Sequence, residues 1–563
     1  SSVTGVPNCF AYVNNLRKFL HLSVLFLILI SSFFLVLPTI HHHINDPNAI
    51  VYFNNDEGYQ MDLIWSYYSG EIRPSYAGNL DYGLEMVYIA DFCRLFLSRF
   101  IDFTPGLLVV IMRWLHLLGW LSALIAFWRM VGCHFNRGWQ RSAATLLLAV
   151  HPAFAYFSIN NKPDFLVFLF MIIGLDYSLR LVERPPQGRP SKKVLLISVA
   201  SAAIAVIIKF AGFYLLPAIV AALYLGKGGK GGVIPSRRRG IFLREEGMTH
   251  KVLSDVFIVF AIFSAAMSIF GFRWFLTPAH FINTYVQNGL DFSGGFMIKD
   301  ISDLAGFVKA YGLILMKRFV SFDMIILFLF GIYLFMEVFF KKEGLSFKPD
   351  QTKKRLVLMI YLVPFLLSMF TPGRFTVYHA LPFFAAIYIL IFEGIGMMMF
   401  MLCDYQVAKG LTKIALTLLV LSDISVNARK TVNERVSQFH QREDVSFEIS
   451  EWWQRQIPPE EKVVTDHMTR VYVPFTHKNI TVFRGYQTDR IEQLQSIIKE
   501  SRPRYLYYNE GPSGGEAFPS IGEMIPGQKV RLVRLFESKR RPPQRRKHQR
   551  YKGDRFFIYE LIY

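Results

Sequence analysis

Apolar runs long enough to cross a lipid bilayer begin at Phe19–Ile40 and recur to about Val426, after which the hydropathy collapses. The hydrocarbon layer is about 30 Å thick and takes about 20 apolar residues in helical form. Within it every backbone amide and carbonyl has to be satisfied inside the segment or by protein. A chain with this pattern folds as a polytopic α-helical membrane protein. Composition agrees, since 52% of the 563 residues are hydrophobic and 16% aromatic, above the share of ordinary globular domains.

The runs place spans at Phe19–Ile40, Thr104–Val131, Ser142–Phe157, Pro163–Leu179, Val194–Ile208, Gly212–Leu225, Val252–Leu276, Phe319–Phe340, Leu356–Phe370, Val377–Cys403 and Leu411–Val426. The first is too long for a signal peptide and is followed by His41-His42-His43 without a small-residue cleavage site, so a retained helix is expected. The formal charge of +20 does not point to nucleic acid, because most basic residues sit in short loops between spans. Arg17-Lys18, Arg137 with Arg141, the stretch 183–193, Arg237-Arg238-Arg239 and the stretch 341–355 all face the cytoplasm if the N-terminus does. Eleven crossings then put residues 427–563 outside, and leave long outer loops at 41–103 and 277–318. Of the four cysteines only Cys93 falls on the outer face, which excludes an intrachain disulfide there.

Residues 1–426 thus form the membrane module and 427–563 an α/β domain. Helices are expected at Ser446–Gln456 and Asp489–Glu500, and strands at Lys462–Asp466, Ile480–Arg484, Tyr505–Tyr508, Val530–Phe536 and Phe556–Ile562. Between Tyr82 and Phe103, apolar residues recur at three- and four-residue steps, as in a helix lying in the membrane interface. Gly511-Pro512-Ser513-Gly514-Gly515 lacks the lysine of a phosphate-binding loop and is a plain loop. The basic stretch 539–555 is a solvated hairpin loop, or one that touches anionic lipid or glycan.

With this topology Asp56-Glu57, Lys162-Pro163-Asp164, Lys209 and the run Arg374–His379 converge on the outer face. Ionisable groups at membrane depth are costly, so their convergence marks a polar site. Pro163 suits a first helical turn and puts Asp164 at a helix N-terminus, where the dipole alone already favours a carboxylate. Lys209 ends an apolar run and is placed to snorkel. Arg374 leaves the tight turn Thr371-Pro372-Gly373 with a planar fork of donors suited to phosphate oxygens, and Tyr378-His379 open the next span. His151, followed by Pro152, reads as a buried histidine beside a kink.

The order of these motifs, an Asp-Glu pair after the first span, a long outer loop and a late Arg-Phe-Thr-Val-Tyr-His-Ala-Leu-Pro segment, resembles the GT-C glycosyltransferases. The resemblance is to the branch holding protein O-mannosyltransferases and lipid A aminoarabinose transferases, and it covers the chain through Cys403. It implies a polyprenyl-phosphate-linked sugar donor, inverting transfer on the extracytoplasmic face to a lipid, glycan or protein hydroxyl, and a first-loop aspartate as base, which is Asp56 here. Glu57, Lys162, Lys209, Arg374, Tyr378 and His379 become substrate-binding candidates. Asp164 matches a second acidic residue that some members associate with a divalent metal cation. A lipid phosphate is already a good leaving group, so one base and a cationic clamp suffice without a general acid. The alternative, a transporter or flippase for a lipid-linked sugar, would favour internal repeats, and none is visible. The expected setting is the bacterial inner membrane, among membrane lipids.

Overall fold

The computed structural model describes residues 7–40, 84–101, 105–134, 138–151, 164–183, 191–208, 210–227, 246–270, 329, 331–332, 349–369, 377–401, 406–441, 443–466, 477, 479–483, 490–509, 521–537 and 555–563. Two compact units divide the chain. One comprises Ser1–Val36, His116–Ser158 and Pro163–Thr431, the other Leu37–Leu115, Ile159–Lys162 and Val432–Tyr563.

The helices are α1 (Pro7–Ile40), α2 (Leu84–Leu97), α3 (Pro105–His134), α4 (Gly138–Val150), α5 (Asp164–Val182), α6 (Lys192–Ile208), α7 (Leu215–Lys227), α8 (Glu246–Phe270), α9 (Pro349–Met369), α10 (Val377–Met401) and α11 (Gln406–Gln441). Among the described residues, Phe19–Leu37, Gly106–Cys133, Asp164–Val182 and Gly410–Asn433 are long and apolar enough to cross a membrane. Shorter apolar helices lie at Gly212–Gly226, Val256–Met267 and Pro382–Gly396. The chain is a multi-pass membrane protein. Most of the predicted span Phe319–Phe340 and the outer loop expected over 277–318 fall outside the described residues.

Three predicted boundaries differ, for local reasons. The span predicted over Ser142–Phe157 is helical only to Val150 within the described residues, because His151 precedes Pro152 and a residue before proline is pushed out of the helical region. The span predicted from Gly212 starts as a 3-10 turn, Phe210–Tyr214, before α7 begins. A Cβ at Gly212 would run into the backbone of Ala205 and Val206, so that turn closes against the end of α6 only with glycine. Last, α11 continues past Val426 to Gln441.

Small residues set the helix spacing in the bundle. Gly174 of α5 leaves room for Leu215 and for the Ser198 carbonyl, which a Cβ would approach to 3.3 Å. Ser178 Oγ and Ser198 Oγ lie 2.8 Å apart, and each donates to the Gly174 carbonyl, at 2.7 and 3.0 Å. Such close, polar-pinned seams hold helices where no hydrophobic gradient separates core from lipid.

Pairwise contacts fix helix directions. Gly119 lies beside Leu166, Arg129 beside Asp176 and Arg180 beside Cys133, so α3 and α5 are parallel. Gln140 Nε2 donates to the Phe392 carbonyl at 3.3 Å while His151 packs on Phe384, so α4 and α10 are antiparallel. Arg355 pairs with Glu393 and Tyr361 with Pro382, so α9 also opposes α10. One end of the bundle therefore gathers the start of α5, the end of α4 and the start of α10. The other gathers the ends of α3 and α5 with the start of α9.

In the second unit α12 (Glu443–Gln456) and α13 (Arg490–Ser501) accompany a five-stranded sheet, with a short α14 at Ile521–Met524. Its strands are β1 (Val463–Asp466), β2 (Ile480–Phe483), β3 (Tyr505–Asn509), β4 (Lys529–Glu537) and β5 (Arg555–Ile562), in the order β2-β1-β3-β5-β4. β1, β2 and β3 are parallel, and β5 is antiparallel to both of its neighbours. Val464, Leu494, Ile498, Leu506 and Leu561 form its core. Trp453 Nε1 donates to His477 Nδ1 at 3.2 Å, and His477 Nε2 faces the Glu461 carbonyl at 2.9 Å. Those partners require the neutral tautomer with its proton on Nε2.

Candidate active site

Asp164 is the first residue of α5 and is buried at 4% exposure. At the same end His151, fully buried, packs at a tilt on Phe384, with ring centroids 4.5 Å apart, and Phe384 in turn lies 6.3 Å from Tyr388. Pro382 stands inside α10 and cannot supply the amide that the Tyr378 carbonyl would otherwise receive. The Pro382 carbonyl accepts from Tyr361 Oη at 3.1 Å. A polar stripe on α11 faces inward, with Asp423, Asn427 and Thr431 all buried at helical spacing. Asn427 Nδ2 donates to Asp423 Oδ2 at 3.4 Å, and Thr431 Oγ1 donates to the Val150 carbonyl at 2.8 Å.

Of the residues predicted from sequence, Asp164 and the first turn of α10 that carries Tyr378 and His379 lie at this end. Asp56, Glu57, Lys162, Lys209 and Arg374 lie outside the described residues. Among the described residues no three of His, Cys, Asp and Glu gather where a metal ion would be held.

Sequence reasoning passed over Arg113, His116 and Asp423, each buried inside an apolar helix. An ionisable residue within a span is itself a signal of function, and the hydropathy pattern submerged it. In the second unit Arg113 is fully buried, and its Nη1 donates to the Ile40 carbonyl at 3.4 Å. Ile40 is the last residue of α1, so the guanidinium sits at the negative end of that helix dipole.

Residues 106–234 match the profile of the family described as dolichyl-phosphate-mannose-protein mannosyltransferase. The chain is also similar to ArnT from Cupriavidus metallidurans bound to undecaprenyl phosphate, at 12% identity and a TM-score of 0.50, over 96% of this chain and 98% of that one. It is similar to the archaeal oligosaccharyltransferase AglB from Archaeoglobus fulgidus, in complex with an inhibitory peptide and a dolichol-phosphate, at 12% identity and a TM-score of 0.51. That match covers 88% of this chain and 70% of AglB. The fold is of the GT-C type. No curated protein sequence matches the chain.

The profile match spans α3 to α7 and includes His151, Asp164 and the Gly174 seam. That is the part of the bundle where the sequence predicted the second acidic residue.

Proposed function

We propose that this GT-C chain is an inverting glycosyltransferase that moves a sugar from a polyprenyl-phosphate donor to a hydroxyl acceptor on the extracytoplasmic face. The carrying observation is a fold shared along 96% of the chain with a protein bound to undecaprenyl phosphate. AglB, which shares the fold as well, is bound to a dolichol-phosphate. Both carriers present a phosphate on an isoprenoid chain.

In this reading the Asp56 carboxylate takes the acceptor's proton as the acceptor oxygen attacks the anomeric carbon. The bond from that carbon to the phosphate oxygen breaks on the opposite side, and its electron pair leaves with the lipid phosphate. Arg374, Lys209 and Lys162 are assigned to the departing phosphate, where fixed cations stabilise developing charge. Tyr378 and His379 contact donor or acceptor, Glu57 orients the acceptor, and Asp164 contacts the acceptor or a divalent cation. Eleven crossings, an outer α/β domain and a bacterial inner membrane complete the proposal.

Mass spectrometry of lipid that co-purifies with the protein tests it. A bound polyprenyl phosphate or its sugar adduct is expected. A preparation that carries neither, and that takes up no undecaprenyl phosphate when it is added, would overturn the proposal.

A further inference from the structure

At the end of the bundle away from Asp164, one buried carboxylate orders two arginines. Asp176 is nearly inaccessible, with its side chain 4% exposed, while Arg129 and Arg180 are 47% and 32% exposed. Arg129 Nε and Nη2 both lie 3.0 Å from Asp176 Oδ2, and Arg180 Nε lies 3.2 Å from Oδ1. The guanidinium groups flank the Tyr177 ring, at 5.0 and 5.4 Å from its centroid. Arg180 Nη2 also reaches Cys133 Sγ at 3.3 Å.

The charges do not balance. Two guanidinium groups share one carboxylate, and the nearby Glu183 is taken by Lys354. Burying an aspartate between two spans is costly, and its effect here is to hold two forks of donors side by side with their outer N–H groups directed away from it.

Height selects the missing counter-charge. Arg129 lies one turn before Cys133, where the α3 span ends, and Arg180 is in the last turn of the α5 span. Lipid headgroups occupy that level, as does the interfacial tyrosine. We propose that Arg129, Tyr177 and Arg180 form a binding site for the phosphate of an anionic phospholipid in the leaflet at this end of the bundle. The site is independent of the transfer reaction.

Native mass spectrometry of the full chain released from nanodiscs of equal phosphatidylcholine and phosphatidylglycerol tests it. Phosphatidylglycerol should be retained over phosphatidylcholine, by about fivefold for each arginine engaged. Arg129→Gln, which leaves Arg180 to pair with Asp176, should lower the preference by that factor. Arg180→Gln, which leaves Arg129 to pair with Asp176, should lower it by the same factor. Equal retention of the two lipids by the wild type, or an unchanged preference in either variant, overturns the site. So does a thermal shift from inorganic phosphate in phosphatidylcholine nanodiscs as large as that from phosphatidylglycerol, since it would make the ligand a free anion.

Discussion

Thr431 donates a 2.8 Å hydrogen bond to the carbonyl of Val150, whose own helix stops there because Pro152 follows two residues later. A helix end leaves carbonyls without intrahelical donors, and here a side chain 281 residues further along the chain supplies one. Thr431→Val keeps the shape and removes the donor. It should destabilise the detergent-solubilised protein by about 1–3 kcal/mol, read as a lower Tm, whereas Thr431→Ser should stay near wild type.

Asp56→Asn should abolish sugar transfer from a polyprenyl-phosphate donor, with a loss of about 10²–10⁴-fold expected for a general base. Expression and donor binding should be largely retained. Substantial turnover in this variant removes Asp56 from the mechanism.

Gly174→Val should separate α5 from α6 and α7, because a side chain there meets Leu215 and the Ser198 carbonyl. Overpacking of this kind costs about 1–3 kcal/mol. Gly174→Ala should have a smaller effect of the same sign, and a Tm unchanged in both would show that the seam has slack.

In the sheet, burial works to raise the Glu560 carboxyl, but hydrogen bonds from Arg504 and Arg531 outweigh it and hold it below its ordinary value. A depressed carboxylate contributes stability that is present above the unfolded value and is lost as pH falls through the folded one. Acid unfolding of the second unit, followed by tryptophan fluorescence, should therefore begin at higher pH in Arg504→Gln. Glu560→Gln should flatten the acid limb, and coincident curves for all three proteins would contradict this.

Single cysteines placed at position 57 and within residues 226–251 should react with a membrane-impermeant thiol reagent from opposite sides. Labelling from the same side refutes the crossing count.

Much of the bundle was legible because membrane spans announce themselves locally. α5, α6 and α10 begin and end within two or three residues of their predicted limits, since apolar length and flanking charge fix both ends. Strands β1, β3 and β5 were readable for a similar reason, being short β-branched and aromatic runs between turn residues. Their order was not. Placement of β5 between β3 and β4 depends on which edges meet in space, and no local pattern encodes it. The buried stripe of Asp423, Asn427 and Thr431 escaped notice because the expected span stopped at Val426 and cut it in two. Arg113 was hidden differently, as one charge diluted by the apolar residues around it.

Since β5 lies inside the sheet, β4 reaches the other strands only through residues 555–562. During synthesis the first three strands can associate as they emerge, but β4 must wait with unpaired edges until β5 has been made. For that interval β4 presents unpaired backbone edges, the kind of exposure that favours pairing with another chain. A stop codon before position 555 would leave the interval without an end.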